Sequence, residues 1–99
     1  MNAVSPVAPA LAQGTSAKAA LAAGDKAARA KDWSAALAQY EAAYKAAPSA
    51  QALEGVARSR SELDQPVEAL AAYQDLLREF GAKLPRAKKA AVEARIMEL

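Results

Sequence analysis

Two stretches of the chain echo each other at a fixed distance. Ala36-Leu37-Ala38-x-Tyr40 recurs 33 residues later as Ala69-Leu70-Ala71-x-Tyr73. A fixed period of this length points to a supersecondary unit used twice, and so constrains the fold more than any single motif. Alanine bias does not account for it. The chain holds 30 alanines in 99 residues, so alanine falling on alanine means little. Leucine on leucine and tyrosine on tyrosine, with the turns in step, mean more. At the same offset Gly24 falls on Ala57, Ala20 on Leu53 and Tyr44 on Leu77.

The spacing of apolar residues makes the repeated unit helical. Trp33, Leu37, Tyr40 and Tyr44 recur on one helical face, as do Val67, Leu70, Tyr73, Leu77 and Phe80, and again Val92, Ile96 and Leu99. Thr15 or Ser16 caps a first helix that runs to about Lys31. Asp32 starts a second, which must end before Pro48. Ser49 caps a third, which runs to about Leu63. Asp64-Gln65-Pro66 turns into a fourth with proline at its first position, and Gly81 fits its C-terminal cap. Leu84-Pro85 opens a fifth that runs to the end. The predicted fold is all-α, with short connections that pack successive helices as neighbours. Alanine has the highest helix propensity and fills little volume, so the helices must approach closely over small residues.

The composition removes several functions. With no cysteine and no histidine there is no thiol or imidazole nucleophile, no disulfide and no zinc site of the usual ligand sets. The four glycines are scattered and make no phosphate loop. Asp25, Asp32, Glu41 and Glu54 fall on exposed-type positions and form no catalytic pair. No enzyme activity and no cofactor are expected. A net charge of +2 is too small for a nucleic-acid binder. The basic run Lys83, Arg86, Lys88, Lys89 and Arg95 reads as a solvated helix face. No apolar run is long enough to span a membrane.

A helix–turn–helix unit of this period resembles the tetratricopeptide repeat. The first unit, about residues 17–49, supplies Ala20, Ala23-Gly24, Ala27, Trp33, Ala36-x-x-x-Tyr40, Ala43 and Pro48. The second, about 50–83, supplies Leu53, Val56-Ala57, Arg60, Ala69-x-x-x-Tyr73 and Gly81. The second-helix half fits the family in both units. The first-helix half departs from it, with Ala20 and Ala27, or Leu53 and Arg60, where large aromatics are usual. The resemblance implies an α-solenoid of two units, with residues 85–99 as a capping helix. Gly24, Ala36, Ala57 and Ala69 would then mark helix crossings, and Tyr40 and Tyr73 would fill the space between helices.

Ligands of that family lie in the groove lined by the first helix of each repeat. The resemblance therefore implies a protein or peptide partner held by Lys18, Leu21, Asp25, Ala28 and Arg29 of the first unit. Gln51, Glu54, Arg58, Ser61 and Glu62 are the corresponding residues of the second. Leu21 and Asp25 stand where the family's chaperone-tail receptors carry a carboxylate clamp, so that specificity is not expected. Arg29 and Arg58 are the best anchors for an acidic or carbonyl-rich peptide. The alternative is a helical oligomerisation or spacer domain of a larger bacterial envelope protein, with Tyr44 and Leu77 packed between chains. Residues 1–14 read as a flexible leader. Ala10-Leu11-Ala12 has the form of an export cleavage site without the charged start of a signal peptide. Periplasm or cell envelope is one reading and cytoplasm the other. Leu99 stands in mid-helix with no stop signal, as in a module of a longer chain.

Overall fold

The computed structural model of the chain describes residues 16–99. The expected leader and the Thr15 cap lie outside the described residues. Within them the protein is all-α: α1 spans Ser16–Arg29, α2 Trp33–Ala46, α3 Ala50–Glu62, α4 Pro66–Phe80 and α5 Arg86–Glu98. Each of the first four helices packs on its successor, α1 also touches α3, and α5 packs on α4. The caps fall where local chemistry puts them. The Asp32 carboxylate accepts from the Ala35 N–H at 3.3 Å, and the Ser49 hydroxyl from the Ala52 N–H at 3.1 Å. Pro66 starts α4 without needing a donor of its own.

The turn after α1 and the turn after α3 are the same turn, 33 residues apart. Lys31 and Asp64 are the two non-glycine residues with positive φ among those described, at 62° and 60°. After α1, the Asp32 N–H donates to the Ala27 carbonyl at 2.9 Å and the Lys31 N–H to Ala28 at 3.0 Å. After α3, Gln65 donates to Arg60 at 2.9 Å and Asp64 to Ser61 at 3.1 Å. This is the Schellman arrangement, which glycine usually occupies because a Cβ crowds the left-handed conformation. Lys31→Gly should therefore stabilise the protein by about 0.5–1 kcal/mol after the entropy of the unfolded glycine is counted. Asp64→Gly should gain less, since aspartate tolerates this region better. A thermal melt should place Lys31→Gly several degrees above the wild type (about 4–8 °C per kcal/mol for a domain of this size).

Small residues set the helix spacing. Ala36, Ala52, Ala57 and Ala69 have no exposed surface. Gly24, the other expected crossing point, is buried as well. The main core joins Ala36 and Tyr40 of α2, Leu53, Val56 and Ala57 of α3, Ala72, Tyr73 and Leu76 of α4, and Val92 of α5. A smaller cluster of Ala20, Ala43 and Ala52 closes the α1 end. Arg60 makes a polar lock between helices. It donates to Glu41 of α2 at 2.7 Å and to Gln65 before α4 at 2.9 Å.

The structure departs from the sequence expectations at several points. Val67 is 75 % exposed, because the α4 stripe is one turn shorter than its apolar spacing suggests. Leu76, which has no exposed surface, carries the α4 core contact instead. Leu99 is likewise exposed. Gly81 occupies the C-cap of α4 but in the right-handed conformation, and the chain continues into a 3₁₀ turn over Gly81–Lys83. α1 ends at Arg29, two residues before the expected limit. Elsewhere, Tyr44 and Leu77 are half-buried with one side against the core, and the Tyr44 hydroxyl donates to Glu79 at 2.6 Å.

Candidate binding surface

Tyr40 organises the face formed by α1 and α3. Its ring projects from α2 between two glycines. A Cβ on Gly24 of α1 would lie 2.8 Å from the ring, and one on Gly55 of α3 would lie 2.5 Å from it. The glycines let both helix backbones close on the ring. Its hydroxyl then emerges at the surface and donates to Asp25 at 2.5 Å. Burial pushes the Tyr40 hydroxyl up to about 12, and the hydrogen bond and charge of Asp25 add to the rise. The cations Arg58 and Arg29 pull in the opposite direction, so both fields reach the hydroxyl.

This shift has a sign in stability. The folded-state value lies above the ordinary one near 10, so the neutral phenol is favoured by folding. Its contribution is fully present below about pH 10 and is lost as pH rises through about 12. With the hydroxyl end partly hydrated, the loss is on the order of 1–2 kcal/mol. Urea midpoints measured from pH 9 to pH 12 should fall in the wild type, and Tyr40→Phe should flatten that fall.

Shallow depressions flank the tyrosine. One of about 250 Å³ is lined by Asp25, Ala28, Arg29, Tyr40 and Arg58. A second, of about 320 Å³, lies between α3 and α5 over Tyr73 of α4. Its walls are Glu54, Arg58 and Glu62 on one side and Ala91, Val92 and Arg95 on the other. A third, of about 200 Å³, joins Gln51, Glu54 and Gly55 to Asp25 and Tyr40, and Lys88 of α5 reaches it. Arg58 lines all three.

Most of the expected groove residues are thus brought together: Asp25, Ala28, Arg29, Gln51, Glu54, Arg58 and Glu62. Lys18 is exposed and lines none of the three depressions. Leu21 is half-buried and packs against both core clusters. Ser61 stands at the margin, where its hydroxyl accepts from Arg95 at 3.5 Å. Glu54 is engaged by Lys88 at 3.0 Å. Arg29 and Arg58 form no ion pair among the described residues. The Arg58 guanidinium lies 5.1 Å from the centre of the Trp33 ring, a stacking worth about 0.5–1 kcal/mol at an exposed site.

Comparison with protein-family models, curated proteins and solved structures gives no match for this chain.

Its own residues must therefore carry the functional reading. Sequence reasoning confined the surface to first helices and so missed Tyr40, Tyr73, Lys88 and Arg95. The period itself held the signal: one further step of 33 carries Glu62 to Arg95 and places α5 on the same face. Trp33 packs against the core and also lies 5.1 Å from the Arg58 guanidinium carbon. Tyr73 lies beside Arg95 and, with Glu98, raises the Arg95 guanidinium above its ordinary value. Among the described residues no cluster of three or more acidic groups could hold a metal ion, and no helix is long and apolar enough to cross a membrane.

Proposed function

We propose that the chain is a protein-interaction module of two tetratricopeptide-like units, which binds a peptide segment of a partner protein along the α1 and α3 face. One observation carries this reading. Arg29 and Arg58, neither engaged in an ion pair among the described residues, line one depression around the Tyr40 hydroxyl. A guanidinium offers five donors in a planar fork that fits a carboxylate or a backbone carbonyl. The Trp33 ring, 5.1 Å from the Arg58 guanidinium carbon, restrains that side chain before a ligand arrives. The depressions lie at or below the lower end of the range for small-molecule pockets, about 300–1,000 Å³. Side-chain-sized hollows in a row suit an extended peptide better than a compact metabolite.

The carboxylates support binding rather than catalysis. Asp25 is held by Tyr40 and Glu54 by Lys88, so both are partly neutralised toward an acidic ligand. The test is titration of the full chain with a fluorescent acidic peptide, read by anisotropy. The wild type should bind, and Arg29→Glu with Arg58→Glu should abolish binding with the far-ultraviolet dichroism unchanged. Equal binding by the double variant would refute the assignment.

A further inference from the structure

The two larger depressions are one repeat step apart. Adding 33 to Asp25, Arg29, Tyr40 and Arg58 of the first gives Arg58, Glu62, Tyr73 and Ala91, all of which line the second. Each has a tyrosine of an even-numbered helix in its lining, and each lies between two odd-numbered helices. Arg58 stands on the wall they share. α5 forms the far wall of the second as α3 forms that of the first, so α5 does more than shield the end of the core.

We propose that α5 builds a second peptide subsite, and that the ligand is an acidic segment placing one carboxylate at Arg29 and Arg58 and another at Arg58 and Arg95. The proposal rests on the reading of the α1 and α3 face above and extends that face to α5. The charges near the second depression allow it. Glu54 is engaged by Lys88 at 3.0 Å. Arg95 is held by Glu98 at 3.0 Å in a partly exposed pair one turn along its own helix and by Ser61 at 3.5 Å, and it lies beside the Tyr73 hydroxyl in the same depression. Such exposed pairs are weak, and a ligand carboxylate displaces them at little cost. Arg58 lines both depressions, its guanidinium carbon lies 5.1 Å from the centre of the Trp33 ring, and a guanidinium carries five N–H donors to divide between two carboxylates. Glu62 is the one carboxylate of the second depression with no ion pair among the described residues, and it opposes the ligand.

The experiment is anisotropy titration of the full chain with labelled Ala/Ser peptides. They carry either one glutamate or two, the two placed two, three or four residues apart. At one spacing the doubly acidic peptide should bind about tenfold more tightly than the singly acidic one. Arg95→Gln should remove that advantage and leave the singly acidic peptide unaffected. Glu62→Gln, at an exposed position where folding is not at stake, should tighten the doubly acidic peptide by about threefold. Equal affinity for one and two glutamates at every spacing overturns the second subsite. So does indifference to both Arg95→Gln and Glu62→Gln while Arg29→Glu with Arg58→Glu still abolishes binding, an outcome that leaves the first depression's role intact. Binding that ignores Arg29 and Arg58 as well, or that fails in the wild type, overturns both.

Discussion

Truncating Tyr40 to alanine should cost about 3–5 kcal/mol, which is much of the stability available to a domain of this size. The ring is 6 % exposed and belongs to the main core, and three helices meet on it. The more telling result is its coupling to Gly55. In the wild type, Gly55→Ala sets a Cβ at 2.5–2.6 Å from Cδ1, Cγ and Cδ2 of the ring. The ring has no free direction, because its Cδ1 and Cε1 atoms also close on Gly24, where a Cβ would lie 2.8 Å away. Overpacking of about 1–3 kcal/mol should outweigh the gain in helix propensity, near 1 kcal/mol, that alanine brings. In the Tyr40→Ala background the clash is gone and only the propensity remains, so Gly55→Ala should become stabilising. Urea denaturation of the four proteins, followed by circular dichroism, measures the cycle. Simple additivity would show that the ring is not clamped.

Reversing both groove arginines should weaken an acidic peptide by at least about a hundredfold. Each charge-assisted hydrogen bond contributes about 1.5–3 kcal/mol, and the introduced glutamates repel the ligand as well. The fold should survive. Arg29 and Arg58 are exposed and form no ion pair among the described residues, and Arg58 contributes its contact with Trp33. Arg58→Lys separates charge from shape. It keeps the cation and loses the planar fork, so a binding loss of about tenfold or more, with the melting temperature lowered by no more than the Trp33 contact accounts for, would identify bidentate recognition. Titration at low and at high salt completes the measurement, because the steering contribution is screened while a close pair is screened less.

The parts of this fold that the sequence displays are the local ones. Asp32 and Ser49 cap helices through their own side chains, and Pro66 starts α4 by its missing donor, so each needs no knowledge of a partner. The step from Leu37 to Leu70 and from Tyr40 to Tyr73 was legible because leucine falls on leucine and tyrosine on tyrosine at one fixed offset. Gly55 was not. Its counterparts at one step either way are Ala22 and Lys88, and a mid-helix glycine looks like a weak point until the Tyr40 ring is placed against it. Val67 was misjudged because apolar spacing along α4 does not say how far the neighbouring helices extend. Lys88 and Arg95 sat within a charge run, and charge runs reveal their partners only in three dimensions. Arg29 and Arg58 were legible as anchors, but the backing of Arg58 by Trp33 was not.

The position of Tyr40 also bears on how the molecule comes apart. The residue belongs to α2 but is clasped by backbone from α1 and from α3, so its contacts are divided between the two halves of the chain. Neither half can open without stripping the ring of one of its walls. Arrays of repeated units often fray from their ends, each unit melting nearly on its own. A side chain shared in this way should couple the opening of one half to that of the other. Urea unfolding followed by circular dichroism should accordingly be one transition in the wild type and broaden in Tyr40→Ala.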